Sequence, residues 1–70
     1  MMTQGSKILR HLQQYGSITP LEALREYGIM RLASRISELR KSGYKITSST
    51  VKDQNRYGEI VHYAKYSLEG

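Results

Sequence analysis

The chain has 70 residues, no cysteine, two histidines, and 11 Lys plus Arg against 6 Asp plus Glu, for a formal net charge of +5. That length suits a single small domain over residues 1–70, with an ordered core over about residues 6–68. Without cysteine there is no disulfide scaffold, thiolate metal site or thiol nucleophile, and His11 and His62 lie too far apart in sequence to suggest a zinc site, so no metal or cofactor is expected. The apolar runs are too short to span a membrane, and no hydrophobic segment of a signal peptide follows MMTQGSK, which points to the cytoplasm. The charge is uneven. Positions 31 to 56 carry Arg31, Arg35, Arg40, Lys41, Lys45, Lys52 and Arg56 against Glu38 and Asp53, while the rest of the chain is balanced. An excess gathered into about a third of the chain suggests a face for a polyanion, where a merely solubilising excess would be spread.

Residues 6–15 are predicted to be helical. Ile8, Leu9, Leu12 and Tyr15 recur at helical spacing, leaving Lys7, Arg10, Gln13 and Gln14 outward, with Ser6 as N-cap and Gly16 as the stop. His11, at the edge of that stripe, is expected to be a half-exposed packing residue. Thr19, Pro20 and Glu22 then form a capping box with proline at the first helical position. It starts a second helix over residues 20–27, with Leu21 and Leu24 turned inward. Ile18 either packs against this helix or pairs as a very short strand. Glu22 and Glu26 are four apart, but they do not read as a catalytic pair, because capping occupies Glu22 and like charges at that spacing repel.

Gly28 permits the tight turn that leads into a third helix over residues 30–42. Leu32, Ile36 and Leu39 form its inward stripe, with Ala33 at the border. The outward side carries Ser34, Ser37, Glu38 and Lys41, flanked by Arg31 and Arg35, and Gly43 closes the helix. The period then changes. Residues 44–51 and 59–68 read as strands around a polar turn at residues 52–58. Tyr44 and Ile46 share one face, as do Ile60, His62, Ala64, Tyr66 and Leu68, with Ala64 to Leu68 covering the helices and His62 exposed. Leu68, Glu69 and Gly70 are expected to fray. The architecture is α+β: three helices that include a helix-turn-helix, followed by a C-terminal β-hairpin, which together make a winged helix.

The runs Gly16 to Leu24, Tyr27-Gly28-Ile29, Leu32 to Arg40 and Gly43 to Ile46, with the turn Asn55-Arg56-Tyr57-Gly58 and the ending Tyr63 to Leu68, resemble the small winged helix-turn-helix proteins of bacteria and their phages. The likeness covers residues 6–68 and implies binding to double-stranded DNA. It leaves the biological role open among repressors, excision factors and phage accessory proteins. Unlike the winged helices that read left-handed DNA, this chain has no Trp and no proline in the wing.

In such proteins the second helix of the pair enters the major groove with its N-terminal part against base edges. The resemblance therefore assigns Arg31, Ser34, Arg35, Glu38 and Lys41 to the recognition helix. Arg can pair bidentately with guanine, and Ser can bond a base or a phosphate. Glu38 either accepts from cytosine or pairs along the helix with Arg35 or Lys41. Arg35 and Arg40 flank the inward stripe and suit a structural or phosphate role. The wing offers Lys52, Asn55 and Arg56 to the backbone or the minor groove, and Tyr57 either stacks on sugar or braces the turn. Ser17, Thr19 and the free N–H groups at the start of the second helix either hold a phosphate or serve only in capping.

Sequence-specific DNA binding by a small regulator or accessory factor is thus the leading expectation. The alternative is a phage-encoded interaction module that grips a host protein such as a nuclease or polymerase. No nucleophile–base pair, metal set or phosphate-binding glycine loop is visible, so no enzyme activity is expected. The six tyrosines are scattered without the clustered strand motif of a single-strand RNA reader. A monomer this small reads few base pairs, which makes a homodimer, through the free edge of the hairpin, a further candidate partnership.

Overall fold

A computed structural model describes residues 3–69. The elements run α1 (Gln4–Tyr15), β1 (Ser17–Ile18), α2 (Pro20–Tyr27), α3 (Leu32–Lys41), β2 (Ile46–Gln54) and β3 (Ile60–Leu68). Three helices followed by an antiparallel hairpin are the α+β winged-helix arrangement that the sequence leads one to expect.

The helices start and stop for local reasons. α1 begins a turn earlier than Ser6 suggests: Thr3 is its N-cap, and its Oγ1 accepts from the Ser6 backbone N–H at 3.1 Å. Gly16 ends it in the left-handed conformation at φ 87°, its N–H donating to the Leu12 carbonyl at 2.8 Å. α2 carries the full capping box. The Glu22 N–H donates to Thr19 Oγ1 at 3.3 Å, and the Thr19 N–H donates back to Glu22 Oε1 at 3.0 Å. Gly28, at φ 68°, turns the chain toward α3. α3 starts at Leu32, two residues later than the sequence pattern suggests, with Arg31 as an N-cap that makes no side-chain hydrogen bond.

The sheet has the order β1-β3-β2. Ile18 pairs with Tyr66, while Ile46 pairs with Leu68 at one end of the hairpin and Gln54 with Ile60 at the other. Ile18 therefore does both things open to it, pairing as a strand and burying completely. β2 runs through Lys52 to Gln54, so Lys52 belongs to the strand, opposite His62, and the connecting loop is shorter than the 52–58 segment. Leu68 packs on the core and the Glu69 N–H donates to the Lys45 carbonyl at 2.8 Å, so those two residues are tied down; Gly70 lies outside the described residues.

The core collects Ile8 and Leu12 of α1, Ile18 of β1, Ala23 of α2, Ile29 of the turn, Leu32, Ile36 and Leu39 of α3, and Ile46 of β2, with Leu9, Tyr27, Tyr66 and Leu68 packed around them. Each large aliphatic among them stabilises the fold by about 1.5–3 kcal/mol. The stripe predicted for α3 is the buried one. The stripe predicted for α2 is not: Leu21 and Leu24 are 61% and 47% exposed, and Ala23 is buried in their place. At about 100° per residue, Ala23 and Tyr27 lie about 40° apart, with Leu24 and then Leu21 progressively further round. Seating α2 on its alanine brings it closer to the core than leucine would allow. It also delivers Tyr27 to His11. That histidine is 5% exposed, not half-exposed as its position in the stripe suggests.

Candidate nucleic-acid interface

The outer side of α3 is polar apart from Ala33. Burial of Leu32, Ile36 and Leu39 turns Arg31, Ser34, Glu38 and Lys41 to solvent, along with Ala33 and Ser37. Arg35 is half-buried, and its guanidinium Nη1 lies 3.3 Å from Glu38 Oε2. Of the pairings open to Glu38, the helix thus realises the one with Arg35. Arg40 is a structural link: its Nε donates to the Ile46 carbonyl at 3.0 Å, fastening the end of α3 to the start of β2. The basic last turn, Arg40 and Lys41, also suits the negative end of the helix dipole. At the other end α3 has neither a side-chain cap nor an acidic residue in its first turn, so its leading N–H groups stay open beside Arg31.

The start of α2 is different. Thr19 Oγ1 and N–H are both engaged with the Glu22 carboxylate, whose charge already sits where an anion would bind. A phosphate at Ser17 and Thr19 would have to displace it. Ser17 itself is half-buried in β1, opposite Ser67.

In the hairpin, Lys52 and Arg56 are exposed and make no ion pair among the described residues. Asn55 is largely occupied by its own turn. Its Oδ1 accepts from the Tyr57 and Glu59 N–H groups at 2.9 and 3.0 Å, and its Nδ2 donates to Glu59 Oε1 at 3.2 Å. The turn is held by this side chain and leaves Tyr57 78% exposed. Met30, just before α3, and Asp53 of β2 line one groove, while Lys52, the residue before Asp53 on the strand, belongs to the other face of the hairpin. The fold thereby brings together the start of α3 and the side of the hairpin, which lie some 20 residues apart in sequence. Lys41 lies at the far end of α3 from them. Ala33 and Ser37 also belong to the exposed face. Their signal in the sequence is small size, which lets a helix backbone approach a partner closely.

Behind this face, His11 forms a buried polar cluster. Its Nδ1 lies 2.7 Å from the Tyr27 hydroxyl, its Nε2 lies 3.9 Å from Glu22 Oε2, and its ring packs on Tyr15 and edge-on to Tyr27. A proton on Nε2 faces the carboxylate favourably, which makes Nδ1 the acceptor of the Tyr27 O–H. Burial, and next the charge of Glu26, hold the Tyr27 phenol above its ordinary pKa. The cluster joins α1 to α2 and so fixes the platform on which α3 rests.

Among the described residues no group of three or more His, Cys, Asp or Glu is placed to hold a metal ion, and no helix is long and apolar enough to cross a membrane. No curated protein and no solved structure matches the chain. A family model does: the winged helix-turn-helix domain, over residues 3–70. That fold is a DNA-binding one, in keeping with the exposed basic face of α3. By a match that spans nearly all of its length, the chain belongs to the winged helix-turn-helix domain family.

Proposed function

We propose that the protein binds double-stranded DNA sequence-specifically, with α3 in the major groove and the hairpin on the backbone or minor groove, as a small cytoplasmic regulator or accessory factor of a bacterium or phage. The observation that carries this reading is the split character of α3. One side is locked into the core by Leu32, Ile36 and Leu39, while the other presents Arg31, Ser34, Glu38 and Lys41 as exposed residues. A helix held rigidly by one face and left polar and basic on the other is suited to enter a groove without rearrangement.

In this reading Arg31 and Ser34 read bases near the uncapped start of α3, and Ala33 and Ser37 allow close approach. Lys41, Lys52 and Arg56 neutralise phosphates, and Arg35 joins them when it releases Glu38. Asn55 acts mainly by shaping the turn that presents Arg56. Ser17 and Thr19 stay outside the contact set, because Glu22 fills the end of α2.

Fluorescence anisotropy titrations of a random duplex against salt test the proposal. On a random duplex Arg31 has no selected base and joins Lys41, Lys52 and Arg56 on phosphates, so four free cations give a slope of log affinity on log salt of about −3.6, and five, with Arg35, give about −4.5. A slope near zero would remove DNA as the partner.

A further inference from the structure

The DNA reading leaves unused an apolar groove on the surface. Open and of about 550 Å³, it runs between α2, the α2–α3 turn and the hairpin. Ile29, 1% exposed, forms its floor, and Leu24, Val61 and Tyr63 line its sides. Leu21 and Met30 project at its margin, Met30 being 85% exposed. Among the described residues, the only charged one lining it is Asp53, a carboxylate that phosphate would avoid. A contiguous apolar patch rimmed by polar residues on so small a chain marks a protein contact.

We infer that this groove is the self-association face of the protein, occupied by a second copy across a two-fold axis. Three observations favour a second copy over an unrelated partner. First, projection and recess lie on the same patch. A two-fold contact requires one self-complementary surface, and here the Met30 side chain of each copy can enter the groove of the other. Second, the exposed parts of Leu21, Leu24, Met30 and Val61 offer roughly 400 Å² per copy, or roughly 800 Å² in all, which lies in the range of weak, transient contacts and suits a concentration-dependent dimer. Third, the charges complement each other. Arg25 lies one turn beyond Leu21 on α2, and neither it nor Asp53 has an ion-pair partner among the described residues. The two-fold contact supplies two reciprocal Arg25–Asp53 pairs at its rim. The inference does not rest on DNA binding, and its test uses no DNA.

Sedimentation equilibrium of the full chain from about 5 μM to about 1 mM is expected to show a reversible monomer–dimer equilibrium. Met30→Ser removes a side chain that the isolated fold does not bury. It is expected to leave the circular dichroism and Tm unchanged while weakening the dimer at least about tenfold, since both copies lose the same anchor. Arg25→Asp and Asp53→Arg are each expected to weaken it, and the two together in one chain to restore it. A chain that stays monomeric over the whole range overturns the inference and hands the groove to a different protein. A dimer indifferent to Met30→Ser and to the charge exchange also overturns it.

Discussion

Glu38→Gln separates the roles open to the middle of α3. The Arg35–Glu38 contact of 3.3 Å joins a side chain that is 31% exposed to one that is 58% exposed, so water screens it on most sides. Losing such a pair costs the fold about 0.3–0.5 kcal/mol, a fall in Tm of roughly 1–4 °C for a domain of this size. The effect on DNA binding is larger and opposite in sign. With Glu38 neutral, Arg35 joins Arg31, Lys41, Lys52 and Arg56, and the salt slope on random duplex steepens from about −3.6 to about −4.5. At about 0.15 M salt one added phosphate contact corresponds to roughly fivefold tighter binding. Anisotropy titrations at four salt concentrations, run on the wild type and Glu38→Gln with a random duplex, measure both quantities. An unchanged slope and affinity would show that the pair stands outside the interface. An unchanged slope with weakened binding to a selected sequence alone would mean that Glu38 accepts a hydrogen bond from cytosine, and would refute its assignment as a charge that restrains Arg35.

The other expectations separate readers from holders. Arg31→Ala is expected to cost about 1–3 kcal/mol on a selected sequence and to relax base preference, whereas Lys52→Ala weakens all duplexes alike; equal effects of each on specific and random duplexes in the same titrations would contradict the division. Thr19→Ala removes the cap of α2 and is expected to destabilise the fold by about 1 kcal/mol, lowering Tm by roughly 4–8 °C in a thermal melt, with DNA affinity unchanged below the melt; lost affinity would restore a phosphate contact there. Tyr27 makes stability depend on alkaline pH. Its folded pKa lies above the ordinary value, so its contribution is complete below about pH 10 and is lost as pH rises through the folded value. Urea titrations between about pH 8 and 11 should show a steeper loss for the wild type than for Tyr27→Phe, and parallel curves would refute the assignment.

What could be read in advance was what short stretches of chain decide for themselves. The start of α2 is written in the capping hydrogen bonds of Thr19 and Glu22 and in Pro20 between them, all within four residues, and it falls where the sequence puts it. The inward side of α3 is equally plain, because Leu32, Ile36 and Leu39 leave no competing stripe. α2 was harder, since four apolar residues in eight span almost half its circumference, and the choice between Ala23 and the leucines belongs to the neighbours it packs against. His11 is buried in part by Tyr27, 16 residues away, which no local pattern brings to it. The sequence likewise shows the cations of α3 and the hairpin but not that Arg40 is tied to Ile46 or that Asn55 is spent on its own turn. Those partners are chosen by how the strand leaves the helix and how the loop closes.

β3 is divided along its length. Tyr66 and Ser67 are paired with β1 and Tyr66 and Leu68 pack on the core, whereas Ile60 and Val61 stand 58% and 38% exposed near the hairpin tip, Val61 at the side of the groove. The outer half of the hairpin is thus a cantilever. It is anchored where the fold needs it and free of obligations where it projects, so insertions, deletions or new charges near Arg56 can change its reach and grip while the helical body keeps its thermodynamic footing.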